Sequence, residues 1–402
     1  MDTVEVMAAC QEHIFDTYAR FPVAFTHGKG TRLWDQEGKE YLDFVAGIAV
    51  CNLGHCHPDL NNILIQQAES LIHVSNLFYT VPQVELAREL TQLSFADKVF
   101  FANSGAEANE AAIKLARKYS RERRGPGRFH VICMKNSFHG RTMATLSATG
   151  QEKVQWGFDP LVEGFTFVEF DSIPAVEAAI TKQTCAVMIE PIQAEGGIRL
   201  PSSGYLAELK ELCHQHDLLL IFDEVRVGMG RTGTLFAYEQ DGVAPDIMTL
   251  AKALGNGLPI GAMLATDQVA QAFSPGSHAS TFGGTPLVTA VALRALEIIS
   301  QPVFLRRVQR LGAYLYASLQ ELREQFSFIH EVRGRGLLLG MELTIPGQEI
   351  VRRCLRQGIV INCVQDNVLR FVPPLTIETY EVDRLIEVLT GVLDELSREK
   401  AA

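Results

Sequence analysis

Residues 98–120 read KVFFANSGAEANEAAIKLARKYS, and this junction decides the fold. Its opening run, Lys98–Phe101, is short, apolar and rich in aromatic residues, which predicts a buried strand. Ser104 and Glu107 then stand at the S-x-x-E spacing of a capping box. Beyond them Ala108, Ala112, Leu115, Ala116 and Tyr119 fall on one helical face, so a helix is predicted from Gly105 to Ser120. The same alternation recurs downstream. His130–Met134 and Ala186–Ile192 read as strands, a helix follows around Gly204–His216, and Leu218–Val225 and Ile247–Ala251 read as further strands. Strands separated by helices predict an α/β fold: a mostly parallel, buried sheet with helices on both faces. In such sheets ligands gather beyond the carboxyl ends of the strands.

From about Leu287 the pattern changes. Long helices at 287–300 and 302–325, short strands near 328–343 and 367–372, and a helix near 379–398 predict a smaller α+β domain. A chain of 402 residues is too long for one small core. The expected division is an N-terminal segment, 1–47, packing with the small domain; a large domain, 48–290; and the C-terminal domain, 291–402.

The formal charge of −11 argues against nucleic acid and anionic membranes as partners. The basic run RKYSRERRGPGR, residues 117–128, reads as the positive end of a helix stopped by Gly125-Pro126-Gly127. The N-terminus lacks the pattern of a signal peptide, and no run of 18 apolar residues is present. Eight cysteines are scattered without a CxxC pair, which predicts a cytoplasmic chain with reduced thiols. Cys51, His55, Cys56 and His57 crowd into CNLGHCHP, but no second ligand pair follows at zinc spacing, so no metal is expected.

Four stretches carry chemistry. Ser104, Gly105 and Ala106 are small residues opening a helix, where free backbone N–H groups can accept a phosphate. Residues 218–224, LLLIFDE, end an apolar strand in two acids. That resembles an ATPase strand, but the partner motif G-x-x-x-x-G-K-[ST] is absent. A buried acid there needs a cationic partner, such as a protonated pyridine nitrogen. Residues 228–233, GMGRTG, match G-x-G-x-x-G, yet no good helix start follows, so a mobile loop is expected rather than a dinucleotide site. Residues 249–257, TLAKALGNG, put Lys252 at the end of an apolar strand, where desolvation makes an amine nucleophilic. A phosphate nest, an acid for a ring nitrogen and a nucleophilic lysine are what pyridoxal phosphate requires.

With these motifs the sequence resembles the class III aminotransferases. The resemblance runs from LWD at 33–35 to LRFVPPL at 369–375 and includes FFANSGAEANEAAIKLARK, SFHGRT, DEVRVGMGRTG and STFGG. It implies the fold type I of pyridoxal-phosphate enzymes and a homodimer whose active sites are shared between subunits. Lys252 would hold the cofactor as a Schiff base and carry the proton, with Asp223 at the ring nitrogen and Phe138 stacked on the ring. Ser104, Gly105 and Ala106 would bind the phosphate, and Glu224, Val225 and Arg226 would lie along the cofactor. Thr281 would reach the phosphate from the partner subunit, with Ser280 near the substrate. The implied substrates are N2-acetylornithine and 2-oxoglutarate, in arginine biosynthesis. Arg141 would clamp the distant carboxylate and Arg370 the near one, with Glu195 neutralising Arg370 when no carboxylate is there. Tyr18 would face the substrate. Ile48 stands where ornithine-specific relatives place a second tyrosine, which weighs toward the acetylated donor. Ornithine, 4-aminobutyrate or succinyl-diaminopimelate remain alternative donors.

Three positions depart from the family pattern: Ala194, Thr285 and Arg226, the last in place of a glutamine that contacts the cofactor's phenolic oxygen. Arg226 either sets its charge beside that oxygen or swings away to pair with a carboxylate. The first arrangement leaves open a protein that binds the cofactor with little turnover.

Overall fold

The computed structural model describes residues 1–401. Near the N-terminus Phe25–Lys29 (β1), Arg32–Asp35 (β2) and Glu40–Asp43 (β3) form an antiparallel ladder. The central sheet follows, from Lys98–Ala102 (β4), His130–Met134 (β5), Phe165–Val168 (β6), Thr184–Ile189 (β7), Leu219–Asp223 (β8), Ile247–Leu250 (β9) and Gly261–Ala265 (β10). Its spatial order is β4-β10-β9-β8-β7-β5-β6. β9, β8, β7, β5 and β6 run parallel, while β10 is antiparallel to both β9 and β4. Two reversals cancel, so β4 points the same way as β8 and β9. The carboxyl ends of all the strands except β10 therefore share one edge.

The central strands are buried throughout, which is why they read as continuous apolar runs and not as alternations. One face is covered by the helices Pro58–Ser70, Val81–Gln92 and Pro286–Ile299, through residues such as Leu60, Leu86, Leu90, Val288 and Ala295. The other carries the helix Gly105–Arg124, whose Ala111, Ala112, Leu115 and Ala116 are buried. Each fully buried leucine contributes about 1.5–3 kcal/mol. That helix starts at Ser104, whose Oγ accepts from Glu107 N at 3.2 Å. Glu107 Oε2 accepts from Asn103 N at 2.9 Å and from the cap hydroxyl, Ser104 Oγ, at 3.0 Å, where a capping box would use the backbone N–H of Ser104. It ends at Gly125, φ +80°, with Arg121, Arg123 and Arg124 in its last turn, so the basic run is a helix terminus.

The remaining strands are Ile329–Arg335 (β11), Leu338–Leu343 (β12), Ile359–Val360 (β13), Asn362–Val364 (β14) and Val368–Phe371 (β15). β11-β12-β15-β14 is an antiparallel sheet, and β13 joins β3 in parallel. Leu42 and Phe44 share a core with Leu315 and Leu319 of the helix Pro302–Gln325 and Leu385 and Leu389 of the helix Thr379–Ala401. The first strands of the chain are thus held by its last third. Within CNLGHCHP, His55 Nε2 pairs with Asp43 Oδ2 at 2.7 Å. Burial works against its cation, but the bonds to Asp43 and Cys51 carry the imidazole up to about 10. Among the described residues no helix alone is long and apolar enough to cross a membrane.

Candidate active site

Beyond the common edge of the central sheet lies a cavity of about 440 Å³. Ser104, Gly105 and Ala106 enter it after β4, Phe138 and Arg141 after β5, and Glu190 and Glu195 after β7. Asp223 ends β8, with Val225 and Arg226 beyond it, and Lys252 follows β9. At Gly105 an added Cβ would lie 2.7 Å from Val225 Cγ1, so only glycine permits this approach of helix and turn. Gly140, φ +139°, similarly abuts Ala106 and Thr145.

Asp223 is buried, 4% exposed, and its carboxylate is held from three sides. Oδ2 accepts from Asn109 Nδ2 at 2.7 Å and lies 2.8 Å from His139 Nδ1. Oδ1 accepts from Val225 N at 3.0 Å. Asn109 is fixed in turn: Thr249 Oγ1 donates to its Oδ1 at 2.7 Å, and its Nδ2 also donates to His139 O at 2.7 Å. A carboxylate has about four acceptor sites. Three are occupied, and one remains for a donor in the cavity.

Lys252 is half-buried and opens a single 3₁₀ turn, Lys252–Leu254. Its φ of +48° is strained for a side chain, at a cost of about 1–3 kcal/mol. Desolvation, helped by the charge of Arg226, lowers its ammonium to about 7 against the pull of Asp223 and Glu195. Near neutral pH a large share of the amine is therefore free base.

Glu195 sits between two guanidiniums. Arg226 Nη2 donates to its Oε1, and Arg370 Nη1 lies 3.2 Å from the same oxygen. Burial alone would raise this carboxyl, but Arg226, Arg370 and Lys252 carry it down to about 2. Arg370, 1% exposed on β15, also donates from Nε to Asn362 Oδ1 at 3.3 Å. Arg226 pairs with a carboxylate, as one of its two expected arrangements has it, but does so within the cavity wall and has not swung away from it. Glu190 accepts from Phe138 N at 3.0 Å and Ala194 N at 3.3 Å. Burial raises it to about 7.

Several expected site residues lie elsewhere. Glu224 does not line the cavity: it accepts from Ala237 N at 2.6 Å and Tyr238 N at 2.8 Å, anchoring the next loop. It follows Asp223 at the end of β8, and successive side chains of a strand point to opposite faces. Ser280 lies behind the wall, where its Oγ accepts from Asn103 Nδ2 at 3.1 Å and Gly283 N at 3.0 Å. Thr281 is exposed and outside the cavity of its own chain, and Tyr18 is 70% exposed under the Arg20 guanidinium. Arg141 is exposed at the rim, 5.6 Å from the Phe138 ring centroid. Sequence reasoning missed Asn109, His139, Thr249 and Glu190. The available signal was polarity inside buried stripes: Asn109 among alanines of a helix, and Thr249 in an apolar strand.

Residues 15–393 match the family model for aminotransferase class-III. The chain belongs to the class-III aminotransferases. The acetylornithine aminotransferase of Caldanaerobacter subterraneus subsp. tengcongensis is 50% identical over 96% of this chain and 98% of its own length. The ornithine aminotransferase of Toxoplasma gondii ME49 superposes with a TM-score of 0.96 at 35% identity, covering 99% of this chain and 96% of that one. The N-acetylornithine aminotransferase of Stenotrophomonas maltophilia K279a gives 0.85 at 40% identity, covering 98% and 100%. Pyridoxal phosphate is the cofactor of class-III aminotransferases, and this donor set fits it. The start of the helix Gly105–Arg124 offers N–H groups suited to a phosphate, Asp223 has one acceptor site left, and among the described residues no carboxylate lies within bonding distance of Lys252.

Proposed function

We propose that the protein transfers the terminal amino group of N2-acetylornithine to 2-oxoglutarate in arginine biosynthesis, using pyridoxal phosphate held on Lys252. The convergence of Lys252, Asp223 and the Gly105 helix start on one cavity carries this reading. Bound pyridoxal phosphate supplies an aldehyde for the amino group and a ring that draws electrons from the adjacent carbon.

The residues divide the remaining work. Lys252 Nζ, its ammonium lowered to about 7 so that much of it is free base near neutral pH, takes a proton from the substrate carbon and returns it. Asp223, oriented by Asn109 and His139, would accept from the ring N–H of the bound cofactor and keep that proton in place. Gly105 and Ala106 hold the phosphate, assisted by Ser104, and Phe138 covers one face of the cavity, fixed by Glu190. Arg141 at the rim suits a carboxylate far from Lys252. Arg370 suits the near carboxylate of a five-carbon dicarboxylate, and Glu195 neutralises Arg370 while a substrate without that carboxylate is bound.

A second copy of the chain completes the site in this reading. Thr281 cannot serve its own cavity, and beside it Phe282 is 61% exposed and Leu77 and Tyr79 are 85% and 99% exposed. Such an apolar patch suits a homodimer, which sedimentation would show. Eight free cysteines fit a cytoplasmic setting. A donor panel of N2-acetylornithine, ornithine, N2-succinylornithine and 4-aminobutyrate tests the function. The highest kcat/KM is expected for N2-acetylornithine, and preference for ornithine or 4-aminobutyrate would refute the reading.

A further inference from the structure

Glu195 is one carboxylate shared by two arginines, and the second is not needed to neutralise the first. Arg226 Nη2 and Arg370 Nη1 converge on the same oxygen, Oε1. Arg226 is 7% exposed, and its Nη1 has no hydrogen-bond partner among the described residues. Lys252 adds a third basic group to the wall. The nearby acids are engaged elsewhere: Asp223 by Asn109, His139 and Val225, with one acceptor site left for the cofactor, and Glu190 by the N–H groups of Phe138 and Ala194. The cavity thus carries more buried cations than anions free to meet them.

A substrate carboxylate that takes Arg370 must displace Glu195 from it. Displaced with nowhere to go, Glu195 would be a buried charge without a partner. Arg226 is already bonded to it. We propose that Arg226 is a specificity-determining residue: it keeps Glu195 paired while a dicarboxylate occupies Arg370, and so favours the dicarboxylate half of the reaction. The inference rests on the proposed function for the roles of Arg370 and Glu195. Arg226 acts on the dicarboxylate through Glu195 and touches no reacting atom, although its charge also helps lower the Lys252 ammonium.

The test uses the holoenzyme and glutarate, which has both carboxylates but no amino or oxo group to react. Titration calorimetry gives its affinity for wild type, R226Q, E195Q and the double variant. A neutral glutamine removes one charge-assisted bond, so R226Q is expected to weaken glutarate about 10- to 100-fold. In the E195Q background there is no displaced carboxylate to hold, so the same substitution has little effect; the two changes couple strongly. Single-turnover kinetics of R226Q should show KM for glutamate rising far more than KM for N2-acetylornithine, and R226K, which keeps the charge, should recover most of the loss. Equal glutarate affinity in wild type and R226Q, or R226Q effects that are the same with and without Glu195, would overturn the proposal. Should R226Q fold poorly, wild type against E195Q still tests the premise, since glutarate binding no tighter to E195Q would overturn it. If wild type turns over neither substrate, the proposed function fails, while the glutarate cycle still decides the role of Arg226.

Discussion

Replacing Glu195 by glutamine keeps the shape of the side chain and removes the anion between Arg226 and Arg370. Two unit charges about 4 Å apart interact by roughly 4 kcal/mol at an effective dielectric of about 20. Each pair is offset by desolvation, and breaking a buried pair costs about 3–5 kcal/mol net. At about 2.1 cal/mol/K of unfolding entropy per residue, a chain of 402 residues should melt about 4–6 °C lower. Ligand affinity should move the other way. A dicarboxylate reaching Arg370 no longer has to displace Glu195, a gain of about 1.5–3 kcal/mol, or tenfold and more. Glutarate should therefore bind more tightly to E195Q than to wild type, and saturating glutarate should restore the lost melting temperature. In the donor half-reaction Arg370 would face no carboxylate at all, so KM for N2-acetylornithine should rise. Differential scanning fluorimetry with and without glutarate, together with calorimetry, reads both effects. Weaker glutarate binding by E195Q would refute the reasoning, because it would mean that Glu195 supports the dicarboxylate instead of competing with it.

Borohydride reduction of the holoenzyme followed by peptide mapping should label Lys252, and a label on another lysine would remove it from its role. In the apoprotein, Lys252 should react with a small aryl electrophile with a midpoint near pH 7, far below an ordinary lysine. Its folded value lies below its unfolded one, so the strain of burying its charge is fully present below about pH 7 and is relieved as pH rises toward the ordinary lysine value of about 10.4; apoprotein stability should gain from this group across that window. R141L should weaken both half-reactions and R370L mainly that of glutamate, each by about 2–5 kcal/mol, and equal damage to both halves by R370L would end the division of labour between them. E224Q should lower stability by about 1–3 kcal/mol, since one of two buried N–H groups loses its acceptor, while cofactor content, read by absorbance, stays at the wild-type level.

Much of this could be read from the chain because the chemistry lies at strand ends, where a few consecutive residues declare it. Ser104-Gly105-Ala106, Asp223 and Lys252 each close an apolar run that is legible alone. The strands and helices with clear periodicity came out within a few residues of their predicted bounds. β10 was not read from the sequence: GAMLA lacks β-branched and aromatic residues, yet it is buried throughout. β13 and β14 are too short to show a period. The network around Asp223 was hidden for another reason. His139 is 84 residues away in sequence and Asn109 is 114, and only the closed sheet brings them together. Glu224, set along the cofactor by the resemblance, stands one residue past Asp223, and alternation at the strand end turns its carboxylate away from the cavity toward Ala237 and Tyr238.

The antiparallel strand β10 makes the sheet a ruler. Neighbouring strands are spaced about 4.8 Å apart, so the backbone ladder sets β4 about two graduations from β9, and β9 one from β8. The helix start, the lysine and the acid are three marks on that scale, engraved in main-chain hydrogen bonds that side-chain substitution does not erase. Mutation can change what stands at a mark, as Arg226 shows beside Asp223, but the intervals stay. A chain of this kind can alter which molecules it accepts by rewriting loops while the gauge for its cofactor keeps its length.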